Sequence, residues 1–323
     1  MMLKQESSVF QRRKLLMVKC KVDGEEFVTE KELHMHLRKH KLRMAEYYQK
    51  YYPRRDLLTK DLIKFKNKNH YFSNHFNSRV NMRKWLEQAP KEEAREFCVK
   101  ILKERIERRG IKYSPTQVEM RSSMMPPIFY YQQLFGNFYN TCKDVGLIPR
   151  FAKFATEPIE ENIEEGYEII IDTREQKPLN INYETRREGL KFADYWLDKE
   201  DNKCYVERKE TKDFIGTFTG GCERFSRELE RAKEQDAYVV VVVENSLDNM
   251  MKFNYLKYIT KKVQVTPEFV MRNVRDIIQK HDNVQFLFAK GRTEATRLTR
   301  KLFFCGTNYK DIDLQLAYDL KIL

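Results

Sequence analysis

Residues 239–243 are five consecutive valines, and no other stretch restricts the fold as tightly. A strand with one solvated face alternates apolar and polar residues, so an unbroken apolar run belongs to a strand buried on both faces. Such a strand lies at the centre of a sheet covered by helices, which makes the surrounding domain α/β. The neighbouring pattern agrees. YEIIIDT (167–173), LKFADYWL (190–197), KCYVERKE (203–210), AYVVVVVE (237–244) and VQFLFAK (284–290) are strand-like. Helical periodicity occupies about 221–235, 247–258, 267–281 and 291–304.

The preceding half reads differently. KEEAREFCVKILKERIERRG (91–110) predicts an amphipathic helix stopped at Gly110, and residues 114–150 predict two or three short helices punctuated by Pro and Gly. ATEPIEENIEEG (155–166) is acidic and without aromatics, as a linker would be. The expected modules are therefore 1–45, 46–92, 93–154, the linker 155–166 and the α/β domain 167–323. The formal charge of +13 is concentrated before the linker, and the remainder is slightly acidic. A basic half beside a mildly acidic one suggests one part that holds a polyanion, for which nucleic acid is the default.

Six scattered cysteines without a Cys-x-x-Cys pair predict a reducing compartment and no disulfide framework. The segment MMLKQESSVFQRRKLL lacks the apolar run of a signal peptide, and no stretch approaches eighteen apolar residues, so a cytoplasmic chain that does not contact membranes is expected.

Acidic residues gather at the ends of three predicted strands: Asp172 in the first, Asp194 in the second, and Glu207, followed by Asp213, at the third. Strand side chains alternate, so Glu207 and Lys209 share one face and Arg208 takes the other. Carboxylates from adjacent strands beside a lysine suit phosphodiester hydrolysis. The carboxylates hold a hard divalent cation, and the ammonium orients water or steadies negative charge.

Four blocks in this order, IIIDTREQ, FADYW, VERKETKDF and ERFSRELERA, resemble the XPF-type nucleases of the PD-(D/E)XK superfamily over roughly residues 166–305. The resemblance implies a central mixed sheet flanked by helices. It also implies Asp172, Asp194 and Glu207 as ligands of Mg2+ or Mn2+, with Lys209 as the catalytic lysine. Arg174, Glu175, Arg208 and Asp213 would complete the site, and Arg224 and Arg227 would face the DNA backbone. The family's glycine before the second aspartate is here Ala193, which tightens the approach of metal or phosphate. Members often pair through this domain, so a homodimer is an expectation, with residues 291–323 as its interface.

KCKVDGEEFVTEKELHMHLRKH resembles a two-Cys two-His zinc finger, a small ββα module, with Asp23 at the second cysteine's place. The implied zinc set is Cys20, Asp23, His36 and His40, with Thr29, Glu32 and Met35 facing base edges. A finger that folds by packing alone is the other reading. Residues 94–148, chiefly FGNFYNTCKDVGL, resemble the homing-endonuclease-associated repeat, a helical DNA-binding unit. There Lys112, Arg121, Gln132 and Gln133 would contact DNA. Tyr47–Trp85 interleaves aromatics with Lys, Arg and Asn, which fits either base stacking or a small aromatic core.

Together these features predict a metal-dependent endonuclease on duplex or branched DNA, of phage or mobile-element type. A non-catalytic DNA-binding platform and an RNA nuclease are the alternatives.

Overall fold

The computed structural model describes residues 17–256, 259 and 265–323. The chain divides into two units, Met1–Ala89 and Pro90–Leu323.

In the first unit, strands β1 (Val18–Lys19) and β2 (Glu26–Phe27) pair antiparallel and lead into helix α1 (Glu30–His36), which a 3-10 turn (Leu37–His40) extends. Helices α2 (Met44–Tyr51), α3 (Lys68–Ser73) and α4 (Arg79–Gln88) follow. Thr29 starts α1 as half of a capping box. Its hydroxyl accepts the Glu32 N–H, and the Glu32 carboxylate accepts the Thr29 N–H. These two side chains are therefore occupied at the helix start, whereas Met35 is exposed. The aromatic-basic segment resolves toward a core: Tyr47, Tyr48 and Tyr71 are buried together with Leu33, Leu37 and Ile63.

In the second unit, α5 (Lys91–Arg109) ends on Gly110 in the left-handed conformation. It is followed by α6 (Gln117–Ser122), α7 (Ile128–Phe135) and α8 (Phe138–Asp144). Next come β3 (Ile169–Asp172), β4 (Thr185–Glu188), β5 (Tyr195–Leu197), β6 (Cys204–Lys209), α9 (Thr211–Thr217) and α10 (Cys222–Glu234). The remainder is β7 (Tyr238–Val243), α11 (Leu247–Met250), α12 (Pro267–Lys280), β8 (Val284–Phe288), α13 (Arg292–Phe303), α14 (Asn308–Asp311) and α15 (Leu314–Asp319).

The sheet order is β4-β3-β5-β6-β7-β8. β5 runs antiparallel to both of its neighbours, while the β3–β4, β6–β7 and β7–β8 pairs are parallel. The valine run accounts for the position of β7. Val240 and Val242 pack on one face with Leu298 and Leu302 of α13, and Val239, Val241 and Val243 pack on the other with Leu229 of α10 and Val274 of α12.

Three expectations change. Strand β4, four exposed residues (TRRE), carries no apolar signal because it is a solvated edge. The helix expected over 247–258 breaks into α11 and a 3-10 turn at Phe253–Tyr255, and 257–258 lie outside the described residues. The linker at 155–166 is strapped to the second unit. Ala155 and Ile159 enter its core, and the Ile159 and Asn162 N–H groups donate to the Ile322 and Phe304 carbonyls. Its acidic surface hid two apolar anchors.

The helical segment before it is likewise built onto the sheet domain. Gln279 of α12 accepts from the Lys112 and Tyr113 N–H groups, and Arg150 donates to the Ile278, His281 and Val284 carbonyls. Arg121, expected to be free for DNA, donates from Nη1 to both Asp319 oxygens and from Nη2 to Asp248. Gln132 is consumed locally by the Gly136 carbonyl and the Phe138 N–H, whereas Lys112 and Gln133 are exposed. All six cysteines are free, and among the described residues no helix is long and apolar enough to cross a membrane.

Candidate active site

The candidate residues fall on one end of the sheet, and backbone pairing brings them there. Asp194 immediately precedes β5. Its N–H donates to the Val206 carbonyl, and its own carbonyl accepts the Asp172 N–H, so the ends of β3, β5 and β6 are drawn level. One Asp194 carboxylate oxygen accepts the Arg208 N–H at 2.8 Å. On β6, Glu207 and Lys209 point to the same face, as strand alternation requires, and form an ion pair.

Burial dominates the electrostatics of this group. It pushes Asp194 up to about 8, with the Glu207 charge adding to the effect, and it also raises the pKa of Glu207. Burial works against the Lys209 ammonium too, yet the Glu207 and Asp194 carboxylates outweigh it and hold Lys209 above its usual value. A buried and a half-buried carboxylate, both driven toward protonation, are a place where a cation is strongly stabilised.

Asp172 is differently placed. Arg174 clamps both of its oxygens, through Nε at 2.7 Å and Nη2 at 2.9 Å, and the Arg174 and Leu190 N–H groups add two further hydrogen bonds. Burial raises the Asp172 pKa, but Arg174 overcomes it and the net shift is downward. Asp172 thus anchors the Arg174 guanidinium as Glu207 anchors the Lys209 ammonium, and of the three carboxylates Asp194 and Glu207 are the pair driven toward protonation. Magnesium is commonly held by one or two carboxylates plus phosphate oxygens, so this pair fits it.

Arg208 and Glu175 lie on the opposite face of the strand and are locked together, with Nε–Oε2 at 2.9 Å and Nη2–Oε1 at 3.1 Å. Arg208 also reaches Glu244 at 2.9 Å, and Glu244 in turn pairs with Arg292. This buried network braces β6 from behind. Asp213 stands exposed in the first turn of α9 and, among the described residues, gives no hydrogen bond to the cluster. Arg224 and Arg227 are both exposed on α10.

One residue escaped the sequence reading. Glu228 of α10 faces Glu207, adding to the rise of the Glu207 pKa, and it also faces Lys209 and Arg174. Its Oε1 accepts the Ala193 N–H at 3.2 Å. Helical spacing was the available signal, since Glu228 lies one turn after Arg224 on the same face. Ala193 itself adopts φ 59°, the left-handed region that glycine enters freely. The alanine therefore holds a conformation that favours glycine, at a cost of about 1 kcal/mol.

Residues 171–302 match the ERCC4 domain. That span contains the candidate residues of three strands and two helices, from Asp172 through Arg227. Two solved structures are also similar. One is XPF from Aeropyrum pernix in complex with DNA, 14% identical, with a TM-score of 0.33 over 43% of this chain and 64% of that one. The other is XPF from Aeropyrum pernix, 14% identical, with a TM-score of 0.33 over 48% of this chain and 68% of that one. The match thus spans less than two thirds of the first structure's chain. No curated protein matches.

A second cluster lies in the first unit. Cys20, Asp23, His36 and His40 offer ligand atoms that all lie within 4.8 Å of one another, and among the described residues theirs is the one group of three or more such side chains this close. The Nε2 atoms of His36 and His40 stand 2.9 and 2.8 Å from the same Asp23 oxygen and 3.0 Å from each other. The edge of a zinc tetrahedron with nitrogen and oxygen ligands is about 3.3 Å, so this spacing fits a zinc ion with a small expansion. The Glu25 N–H, followed by Cys20 and His40, holds the Asp23 carboxyl well below its usual range. The far nitrogen of His36 is buried without a hydrogen-bond partner, and the Glu25 carboxylate is 3.5 Å away.

Proposed function

We propose that this chain is a divalent-metal-dependent endonuclease that hydrolyses phosphodiester bonds in duplex or branched DNA, with its chemistry in the ERCC4 domain. The observation that carries the reading is the placing of Asp194, just before β5, and Glu207, on the neighbouring β6, beside Lys209 inside the matched span. Asp194 and Glu207 would hold the cation, which when bound supplies Lewis acidity to the scissile phosphate and a more acidic water. Lys209, kept charged by the two carboxylates, orients the attacking water or the phosphate oxygen. Asp172 fixes the Arg174 guanidinium at the rim, where it meets a phosphate. Glu175 and Arg208 hold β6 in register. Arg224 and Arg227 contact the DNA backbone, and the basic charge before residue 157 supplies salt-dependent affinity.

We infer further that Cys20, Asp23, His36 and His40 bind zinc and set the conformation of the first unit.

The test is a cleavage panel of linear duplex, flap, fork, four-way junction, single-stranded DNA and RNA, in magnesium and in chelator. Glu207→Ala and Lys209→Ala are expected to lower the cleavage rate on the order of 100- to 1000-fold. Cleavage by either variant at the wild-type rate places hydrolysis elsewhere. Binding without cleavage by the wild type turns the protein into a DNA-holding platform, and preferential cutting of RNA changes the substrate.

A further inference from the structure

Asp194 is aimed by the backbone just before it, and that backbone is in an unfavourable conformation. Ala193 is buried at φ 59°, where a side chain crowds the following carbonyl. Its N–H is directed at the Glu228 carboxylate, 3.2 Å away on α10. Helix α10 is anchored under the sheet by Phe225, Leu229 and Ala232, so Glu228 offers a fixed acceptor and not a mobile one. Its position also places a negative charge opposite Lys209 and Arg174, the two cations of the site.

We propose that Glu228 is a positioning residue of the nuclease site: by accepting the Ala193 N–H it holds the left-handed turn and so aims Asp194 toward Glu207. A glycine at 193 would adopt the turn unaided, whereas an alanine needs the tether. Glu228 and Ala193 are therefore a coupled pair, and a change in one alters what the other is required to do. The proposal rests on the nuclease reading above. It concerns the metal-bearing carboxylate's direction, not the binding of DNA.

The experiment uses the full chain and four variants: Glu228→Ala, Glu228→Gln, Ala193→Gly, and the double variant Ala193→Gly with Glu228→Ala. Misdirecting a reacting group by about 1 Å is expected to cost on the order of 10- to 100-fold. Glu228→Ala should therefore lose about that much in kcat, raise the magnesium concentration for half-maximal rate, and leave KM for DNA unchanged. Glu228→Gln keeps an acceptor oxygen and should cut to within about threefold of wild type. Adding Ala193→Gly to Glu228→Ala should recover most of the loss, which a general weakening of the fold would not permit. A second readout does not need turnover: hydrogen exchange of the Ala193 amide, followed by NMR without metal, should accelerate in Glu228→Ala and stay slow in Glu228→Gln. Equal damage in the Ala and Gln variants, or no rescue by glycine, overturns the tether. If the wild type does not cut at all, the nuclease reading fails, and the exchange measurement alone decides whether Glu228 holds the turn.

Discussion

Asp23 and Asp194 are the same side chain in opposite settings. Asp23 is exposed and hydrogen-bonded by a backbone N–H, with Cys20 and two imidazoles around it, and its pKa is driven down. Asp194 is withdrawn from water beside Glu207, and its pKa is driven up to about 8. The donors of the first unit are already gathered, with imidazole and carboxylate atoms at 2.8 to 3.0 Å. The carboxylates of the sheet domain are instead balanced by cations of the protein itself: Lys209 on Glu207, Arg174 on Asp172 and Arg208 on Glu175. A gathered set of thiol, imidazole and carboxylate donors suits an ion that stays for the life of the fold. A carboxylate pair with protein counterions suits an ion that arrives with phosphate and leaves with product.

The largest effect that can break this contrast is removal of the first ion. Zinc binding in small modules is worth on the order of 10 kcal/mol, and it is folding free energy. One zinc per chain is expected by elemental analysis, falling to none in Cys20→Ala or His36→Ala, while Glu207→Ala keeps its zinc. Chelation should melt the first unit and spare the second, read as loss of the earlier of two thermal transitions. A purified chain without zinc that also gives no cobalt absorption spectrum on titration would leave a finger held by packing alone.

A smaller effect concerns the protein's own counterions. Arg208 is buried between Glu175 and Glu244, so removing it leaves the buried Glu175 carboxylate without its cation, while Glu244 keeps Arg292. Breaking such a network costs roughly 3–5 kcal/mol. Arg208→Met should therefore lower the denaturant midpoint strongly. Arg174→Met should lower it less, because the Arg174 side chain is 70% exposed and the buried Asp172 keeps the Arg174 and Leu190 N–H bonds. Equal stability of the two variants would remove the distinction between the brace behind β6 and the cation at the rim.

What was legible in the chain follows the same physics. The valine run declared a strand covered on both faces, and its alternating contacts with α10, α12 and α13 bear that out. Period-two alternation put Glu207 beside Lys209 and turned Arg208 away, as the structure has it. The cysteine-to-histidine spacing brought four ligand atoms together. Long-range partnerships left no local pattern. Nothing near Arg121 announces Asp319, nothing in the acidic segment announces the Ile159 bond to Ile322, and the edge strand β4 is too polar to stand out. The finger spacing assigns Thr29 and Glu32 to base edges, whereas their local role is the capping box.

A buried carboxylate with neither a gathered ligand set nor a cation clamped on it provides the remaining control. Asp313 caps α15 by accepting the Leu316 N–H at 3.0 Å, and it also accepts the Gln117 N–H at 2.6 Å from α6. Burial dominates over these bonds and raises its pKa from 3.8 to about 6. In acid, below pH 3.8, the carboxyl is protonated in both the folded and unfolded chain, and the folded state bears no penalty. As the pH climbs to about 6 the unfolded chain ionises first, so the folded state loses stability across that window and stays lower above it. A shift of this size corresponds to roughly 3 kcal/mol. Asp313→Asn retains an acceptor for the Leu316 N–H and has nothing to titrate. Its advantage over wild type in denaturant unfolding should therefore be absent near pH 4 and grow toward neutrality. A constant difference at every pH would mean that the two backbone N–H groups already compensate the Asp313 charge, as the Glu25 N–H helps to do for Asp23.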